Sequence, residues 1–358
     1  MKRVFIFDLK PGMVIGKDCL TSNGIMIVPA GVMLTDPIIE HLKALGVFDV
    51  FIDEEAHEDV FMKKTEEEYN INTGEEFEKF NRRYMQGKDR LGNTFGNIIR
   101  ETPDKKEIEN MIDDSWKLID EGSNSYDMLG MMYSMHTYSD STYMHCMNVG
   151  MIASLIGKWL GWPEDELKLL NACGMFHDIG KLMIPHEILD KPCRLTDAEY
   201  NVMKTHTVKG YDLLKNLDLD PHISNCALMH HERCDGSGYP FGLTGERIDR
   251  FSKVLAIADV YEAMTANRVY RGPVCPFDVI AQFENNGFSM YDTEYLLVFL
   301  RNIVDSYLHT KVKLNNGEKA EIVLINKQRG SKPVVITSDG KALDLSKETN
   351  LKISKICD

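Results

Sequence analysis

From about Glu107 to His309 the apolar residues recur at three- and four-residue spacing, in segments such as IENMIDDSWKLI, MNVGMIASLIGKWL and DVIAQF. That period belongs to helices burying one face, and a run of roughly 200 residues in it makes an all-α domain of common size. The flanks break the period. From Val4 to about Ile52 short β-type runs (VFIF, MVIG, GIMIVP, VFDVFI) are punctuated by Pro11-Gly12, Asn23-Gly24 and Ala30-Gly31 around one helical stretch, DPIIEHLKALG. This predicts a small α+β module. Beyond Thr310 the alternating runs VKL, AEIVLI and PVVIT, separated by Asn316-Gly317 and Asp339-Gly340, predict hairpins in a small β module. Between Asp53 and Phe80 eleven acidic residues face three lysines, which reads as a solvated linker or exposed helix, since like charges repel. The chain is therefore expected to be mainly α. It divides into an α+β module over 1–55, an acidic helical linker over 56–122, an all-helical domain over 123–310 and a β module over 311–358.

The 358 residues carry 43% hydrophobic and 27% charged side chains and a formal charge of −14. The composition is that of a folded globular protein. The charge argues against broad binding to a nucleic-acid polymer, which needs lysine and arginine massed on one face. A small anionic ligand remains compatible, because a bound metal reverses the local field. Eight scattered cysteines without a CxxC pair suit reduced thiols. Asp8 and Lys10 interrupt any apolar leader near the N-terminus, and no stretch reaches the ~18 apolar residues of a membrane span. A cytoplasmic location is expected.

Histidines and carboxylates concentrate in the helical region as His145, His177-Asp178, His206, His230-His231 and Asp259. Any one alone is best read as a surface or hydrogen-bonded core residue. Together they offer imidazole nitrogen and carboxylate oxygen, which suits iron, manganese or a similar divalent metal. Seven ligands exceed a closed structural zinc site and are enough for two metals sharing a carboxylate. His177-Asp178 falls where an apolar helical run meets Gly180, and an unpaired aspartate there is costly unless a metal binds it. Lys181, three residues on, can share its face and meet a phosphate. His230 and His231 would diverge by about 100° on a helix, so they are not expected to serve one metal symmetrically. Asp259 lies in the apolar stretch KVLAIADVYEAMT, where helix capping is the rival account.

HDIGK at His177 to Lys181, HHERCDGSGYP at His230 to Pro240 and IADVYEAMT at Ile257 to Thr265 resemble the HD-GYP family. KTH around His206 and MHCMNVG around His145 extend the match over roughly Ser123 to Leu308. The resemblance implies an all-helical HD-type domain that hydrolyses cyclic di-GMP to pGpG, GMP or both. It implies His145, His177, Asp178, His206, His230, His231 and Asp259 as metal ligands, with Asp178 bridging, and Asp178 and Lys181 as catalytic. Gly238, Tyr239 and Pro240 match the signature loop, where Tyr239 offers a face for a guanine. Arg268 and Arg271 match residues that contact substrate. Family members with three metals carry a glutamate where this chain has Ser141, with Asp140 beside it. Two divalent ions, iron or manganese, are therefore expected, a third depending on Asp140.

The expected reaction is in-line attack on phosphorus by a hydroxide bridging the two metals, with Lys181 stabilising phosphoryl charge. The rival from another class is a sensor that binds a cyclic dinucleotide, turns it over weakly at most, and signals to a protein partner. A third reading, an HD phosphohydrolase of ordinary nucleotides, is disfavoured by the GYP loop. A homodimer is the arrangement the resemblance suggests.

Overall fold

The computed structural model describes residues 2–17, 19–20, 26–28, 34, 38–39, 42–43, 47, 49–53, 75–100, 103–120, 129, 142–191, 193–266, 274–348 and 350–357. They fall into two compact units, one over 71–306 and one formed by 1–70 together with 307–358.

The first unit is helical: α1 Glu75–Ile99, α2 Lys105–Asp120, α3 Thr142–Trp159, α4 Glu164–Phe176, α5 Asp197–Lys204, α6 His206–Leu214, α7 Pro221–Met229, α8 Arg250–Thr265, α9 Pro276–Met290 and α10 Thr293–Ile303. A 3₁₀ segment, Ile179–Met183, follows α4. Helix α3 is central. Every residue from Met144 to Gly157 is buried, and the helix packs on α4 and α8. Its crossing with α4 is unusually close because two glycines meet. A Cβ on Gly174 would lie 2.3 Å from the Cα of Gly150. Backbone contact at that point draws His145 towards His177, whose rings stand 5.1 Å apart.

The described part of 56–122 belongs to this unit. Phe80, Tyr84, Leu91, Phe95 and Ile98 of α1 are buried, and Phe95 packs on Phe176 with ring centroids 5.6 Å apart. In α2, Ile108, Met111, Ile112, Ser115 and Leu118 are buried at helical spacing. Glu78 and Asp89 of α1 and Glu107 and Glu109 of α2 are exposed, so a count of charge along the stretch conceals an apolar stripe.

In the second unit, strands β1 Lys2–Phe5, β2 Val14–Ile15 and β5 Asp49–Asp53 form an antiparallel sheet in the order β1-β5-β2, and β3 Cys19–Leu20 pairs with β4 Met26–Val28. The C-terminal strands β6 Lys311–Leu314, β7 Lys319–Leu324, β8 Val334–Thr337, β9 Ala342–Asp344 and β10 Ile353–Ile356 form a five-stranded antiparallel sheet ordered β10-β6-β7-β8-β9. The Asn-Gly and Asp-Gly hairpins expected from sequence close β6-β7 and β8-β9. The two ends are not independent modules. Ile15, Val28, Leu34, Ile38, Leu42, Val50 and Ile52 share one core with Val323, Leu324, Val334 and Ile336. Sharing one core meets the general difficulty that domains near 50 residues have in burying enough apolar surface alone. Among the described residues no helix is long and apolar enough to cross a membrane.

The Gly150–Gly174 contact leaves no room for a methyl group. Gly174→Ala is expected to force α3 and α4 apart and destabilise the helical unit by about 1–3 kcal/mol or more, measured as a lowered midpoint in urea unfolding. An unchanged midpoint would show that the crossing tolerates separation.

Candidate metal centre

Six elements bring the seven expected ligands together. His145 comes from α3. His177 caps the C-terminus of α4, and Asp178 begins the 3₁₀ segment. His206 opens α6, His230 caps the C-terminus of α7, and Asp259 projects from α8. Asp259 lies well inside its helix, so a capping role is excluded.

Asp178 stands at the centre, 1% exposed. Its Oδ2 is 3.2 Å from Nε2 of His177 and 3.3 Å from Nε2 of His145. Its Oδ1 is 3.4 Å from Nε2 of His206 and 3.7 Å from Nε2 of His230. Asp259 Oδ1 lies 3.2 Å from Nε2 of His145, and its Oδ2 lies 3.7 Å from Nδ1 of His231. Two groups able to hold a metal result: His145, His177 and Asp259, and Asp178, His206, His230 and His231. One carboxylate oxygen of Asp178 faces each.

Three imidazoles are oriented by backbone. Nδ1 of His177 faces the carbonyl of Gly174 at 2.6 Å, that of His206 the carbonyl of Met203 at 2.8 Å, and that of His230 the carbonyl of Cys226 at 2.9 Å. With Nδ1–H donating, each Nε2 lone pair is left for a metal. Nε2 of His177 and Oδ1 of Asp178 are buried without a hydrogen-bond partner. Such atoms are costly in a core unless something satisfies them, and a divalent cation between nitrogen and oxygen donors does so. The donor set therefore fits a metal. Cys146 is also within reach of His177 and Asp178, but burial pushes its thiol pKa well up.

The expected separation of His230 and His231 does not hold. The helix ends at Met229, so the 100° rotation between helical neighbours does not apply, and the two rings lie 4.1 Å apart within one ligand group. Lys181 does share the face of Asp178: the 3₁₀ turn brings its Nζ into a hydrogen bond with Oδ2. Gly238 is required by close approach, since a Cβ there would lie 2.4 Å from the Arg233 nitrogen and 2.5 Å from the His231 carbonyl oxygen. Tyr239 donates its N–H to that carbonyl at 3.2 Å, and its ring centroid is 4.6 Å from that of His231. The signature loop thus adjoins the ligands. Asp140, Ser141, Arg268 and Arg271 lie outside the described residues.

Two glutamates escaped the sequence reading. Glu262 takes a short hydrogen bond from Nδ1 of His145. Its place three residues after Asp259, on the same face of α8, was the available signal. Glu232, 2% exposed, accepts from the backbone N–H groups of Phe241 and Leu243, both at 2.8 Å. It pins the loop that carries Gly238, Tyr239 and Pro240, and no helical period marks it.

A family model described as HD domain matches residues 108–294. The chain is 35% identical over 159 residues to a cyclic di-GMP phosphodiesterase of Pseudomonas aeruginosa, covering 43% of this chain and 38% of that protein. It is 41% identical over 134 residues to a 3'3'-cGAMP-specific phosphodiesterase of Vibrio cholerae, covering 37% of this chain and 31% of that one. The chain thus spans less than two fifths of the length of either relative. An HDG"Y"P protein from Bdellovibrio bacteriovorus has the same fold, with a TM-score of 0.55 at 15% identity over 85% of this chain and 99% of that one.

Burial favours neutral imidazoles and the neighbourhood favours charged carboxylates. Burial lowers the pKa of His206 to about 4 and that of His231 to about 3, and it drives His230 well down. Burial would raise Asp178 and Asp259, but the surrounding histidines, with Lys181 at Asp178, hold both well below the usual carboxylate range. His145 is the exception. Burial opposes its charge, yet Glu262, Asp178 and Asp259 raise its pKa well above normal. In the unfolded chain all four histidines titrate near 6.5. Below that pH the three depressed histidines bind more protons unfolded than folded, which costs stability, whereas the stabilisation from His145 is gained above about 6.5 and is already complete below it. Metal-free protein is expected to lose stability as pH falls from about 6.5 towards 4, measured as a falling melting temperature; a melting temperature rising over that interval would contradict the assignment.

Proposed function

The chain belongs to the HD domain family, of the HD-GYP type, and from that premise we propose that it is a metal-dependent phosphodiesterase hydrolysing cyclic di-GMP to pGpG, GMP or both. The observation that carries this reading is the carboxylate of Asp178 with one oxygen towards each of two histidine groups. His145, His177 and Asp259 would hold one divalent ion, His206, His230 and His231 a second, and Asp178 would join them. Iron and manganese suit a set of nitrogen and oxygen donors. When bound, such a pair supplies Lewis acidity towards a phosphoryl oxygen and activates water near neutral pH.

The chain's own residues do the rest. Asp178 keeps the two ligand groups in one frame. Lys181 keeps its ammonium charged, because Asp178 and Asp259 outweigh burial and raise its pKa; that charge is positioned to meet a non-bridging phosphoryl oxygen or the leaving oxygen. Tyr239 presents a ring for a guanine beside the ligands, and Gly238 and Pro240 set its loop. Arg268 and Arg271 are assigned to substrate phosphates by motif position. Cysteines scattered along the chain without a CxxC pair fit a reducing, cytoplasmic setting.

A relative named for 3'3'-cGAMP favours a second reading of the same site, in which the preferred substrate is that mixed dinucleotide. Protein reconstituted without oxygen with Fe(II) or Mn(II) is expected to convert cyclic di-GMP to pGpG, followed by chromatography. Asp178→Ala is expected to lose bound metal and at least 100-fold in turnover. Faster cleavage of 3'3'-cGAMP would transfer the assignment to that substrate. Tight binding with no product from either would establish the sensor instead.

A further inference from the structure

A chain of buried polar side chains leads from the metal ligand His145 back to α1, a helix wholly outside the segment matched by the family model. Glu262 Oε2 accepts from Nδ1 of His145. Its other oxygen, Oε1, accepts from Nδ2 of Asn148 at 3.1 Å. Asn148 Oδ1 in turn accepts from the hydroxyl of Tyr84 at 2.7 Å, and that hydroxyl also lies 3.2 Å from the carbonyl of Met144. Tyr84 is 0%, Asn148 1%, Glu262 2% and His145 4% exposed, so water does not substitute for any link.

The polarity of the chain is determined. A carboxylate only accepts, so Asn148 must turn its NH₂ towards Glu262 and its carbonyl oxygen towards Tyr84. Tyr84 must then donate. Its hydroxyl is the outermost group that holds the amide in this sense, the amide holds Glu262, and Glu262 fixes the tautomer and ring plane of His145, leaving Nε2 for the metal. His145 and Asn148 lie three residues apart on α3 and Asp259 and Glu262 three apart on α8. A ligand and its support therefore project from the same face of each helix.

We infer that Tyr84 is a positioning residue for one of the two metal subsites, the one formed by His145, His177 and Asp259, and that α1 is part of the metal-binding unit. The other subsite, in which His206 and His230 are oriented by backbone carbonyls, does not depend on Tyr84. The inference rests on the two-metal reading proposed above.

The test uses the full-length chain, stripped of metal and titrated without oxygen with Mn(II), following metal per chain and the electron paramagnetic resonance spectrum. Wild-type protein is expected to take up two ions with an exchange-coupled signal. Tyr84→Phe keeps the ring and removes the hydroxyl; it is expected to weaken one site by about 10-fold and leave the other unchanged, so that an uncoupled Mn(II) signal appears at partial loading. Glu262→Gln should weaken the same site, and the double variant should be no worse than Glu262→Gln alone, because the chain is already broken. Tyr143→Phe, which removes another hydroxyl near α1, should behave as wild type. If Tyr84→Phe binds both ions as wild type does, or loses affinity equally at both sites, the inference is overturned and the two-metal reading stands. If wild-type protein takes up no Mn(II), both fall.

Discussion

A carboxylate with almost no access to water has to be stabilised by what surrounds it, and Asp178 is the residue on which the helical unit is organised. Burying an unpaired carboxylate costs several kcal/mol on the order of magnitude usual for such groups. Here four imidazoles and one ammonium lie around its two oxygens. The residue sits between α4 and the 3₁₀ segment, so the break in the helix is what turns it inward. The other donors arrive from α3, α6, α7 and α8. Displacing any of these helices would leave charge buried without a partner.

Around this centre the supports are of two kinds. His177, His206 and His230 are steered by carbonyls three or four residues earlier in their own chain segments, so forming the local helix already aims them. His145 is steered instead by Glu262, a residue 117 positions away. That difference makes the aim of His177, His206 and His230 locally encoded and that of His145 dependent on how α8 and α1 dock against α3. The loop with Gly238 and Tyr239 is held in the second way, through the buried carboxylate of Glu232.

Much of this was legible in the residues. The three- and four-residue period identified the helical region, and the Asn-Gly and Asp-Gly pairs identified two hairpins, because both signals are local and repeat. The cluster of histidines and aspartates was legible for a different reason: such residues inside apolar runs carry a penalty that only a specific partner removes. Glu232 and Glu262 were not singled out, since a glutamate near a helix end or on a partly apolar helix is ordinary until its neighbours are known. The divergence expected for His230 and His231 assumed a helix that stops one residue too early for the rule. The reading of 56–122 as a linker followed net charge, which averages over a helix and is blind to the stripe of Tyr84, Leu91 and Phe95 on one side.

The sequence by itself determined the helical character of the centre of the chain, the chemistry of the donor set and the turns of the C-terminal hairpins, because each depends on residue type and spacing within a few positions. Tertiary structure alone decided that the N- and C-terminal ends share one core, that Asp178 turns one oxygen to each ligand group, and that Tyr84 reaches His145 through Asn148 and Glu262. These are relations between residues tens to hundreds of positions apart. They are settled by which apolar faces close over one another, and backbone contact such as that between Gly150 and Gly174 sets how closely.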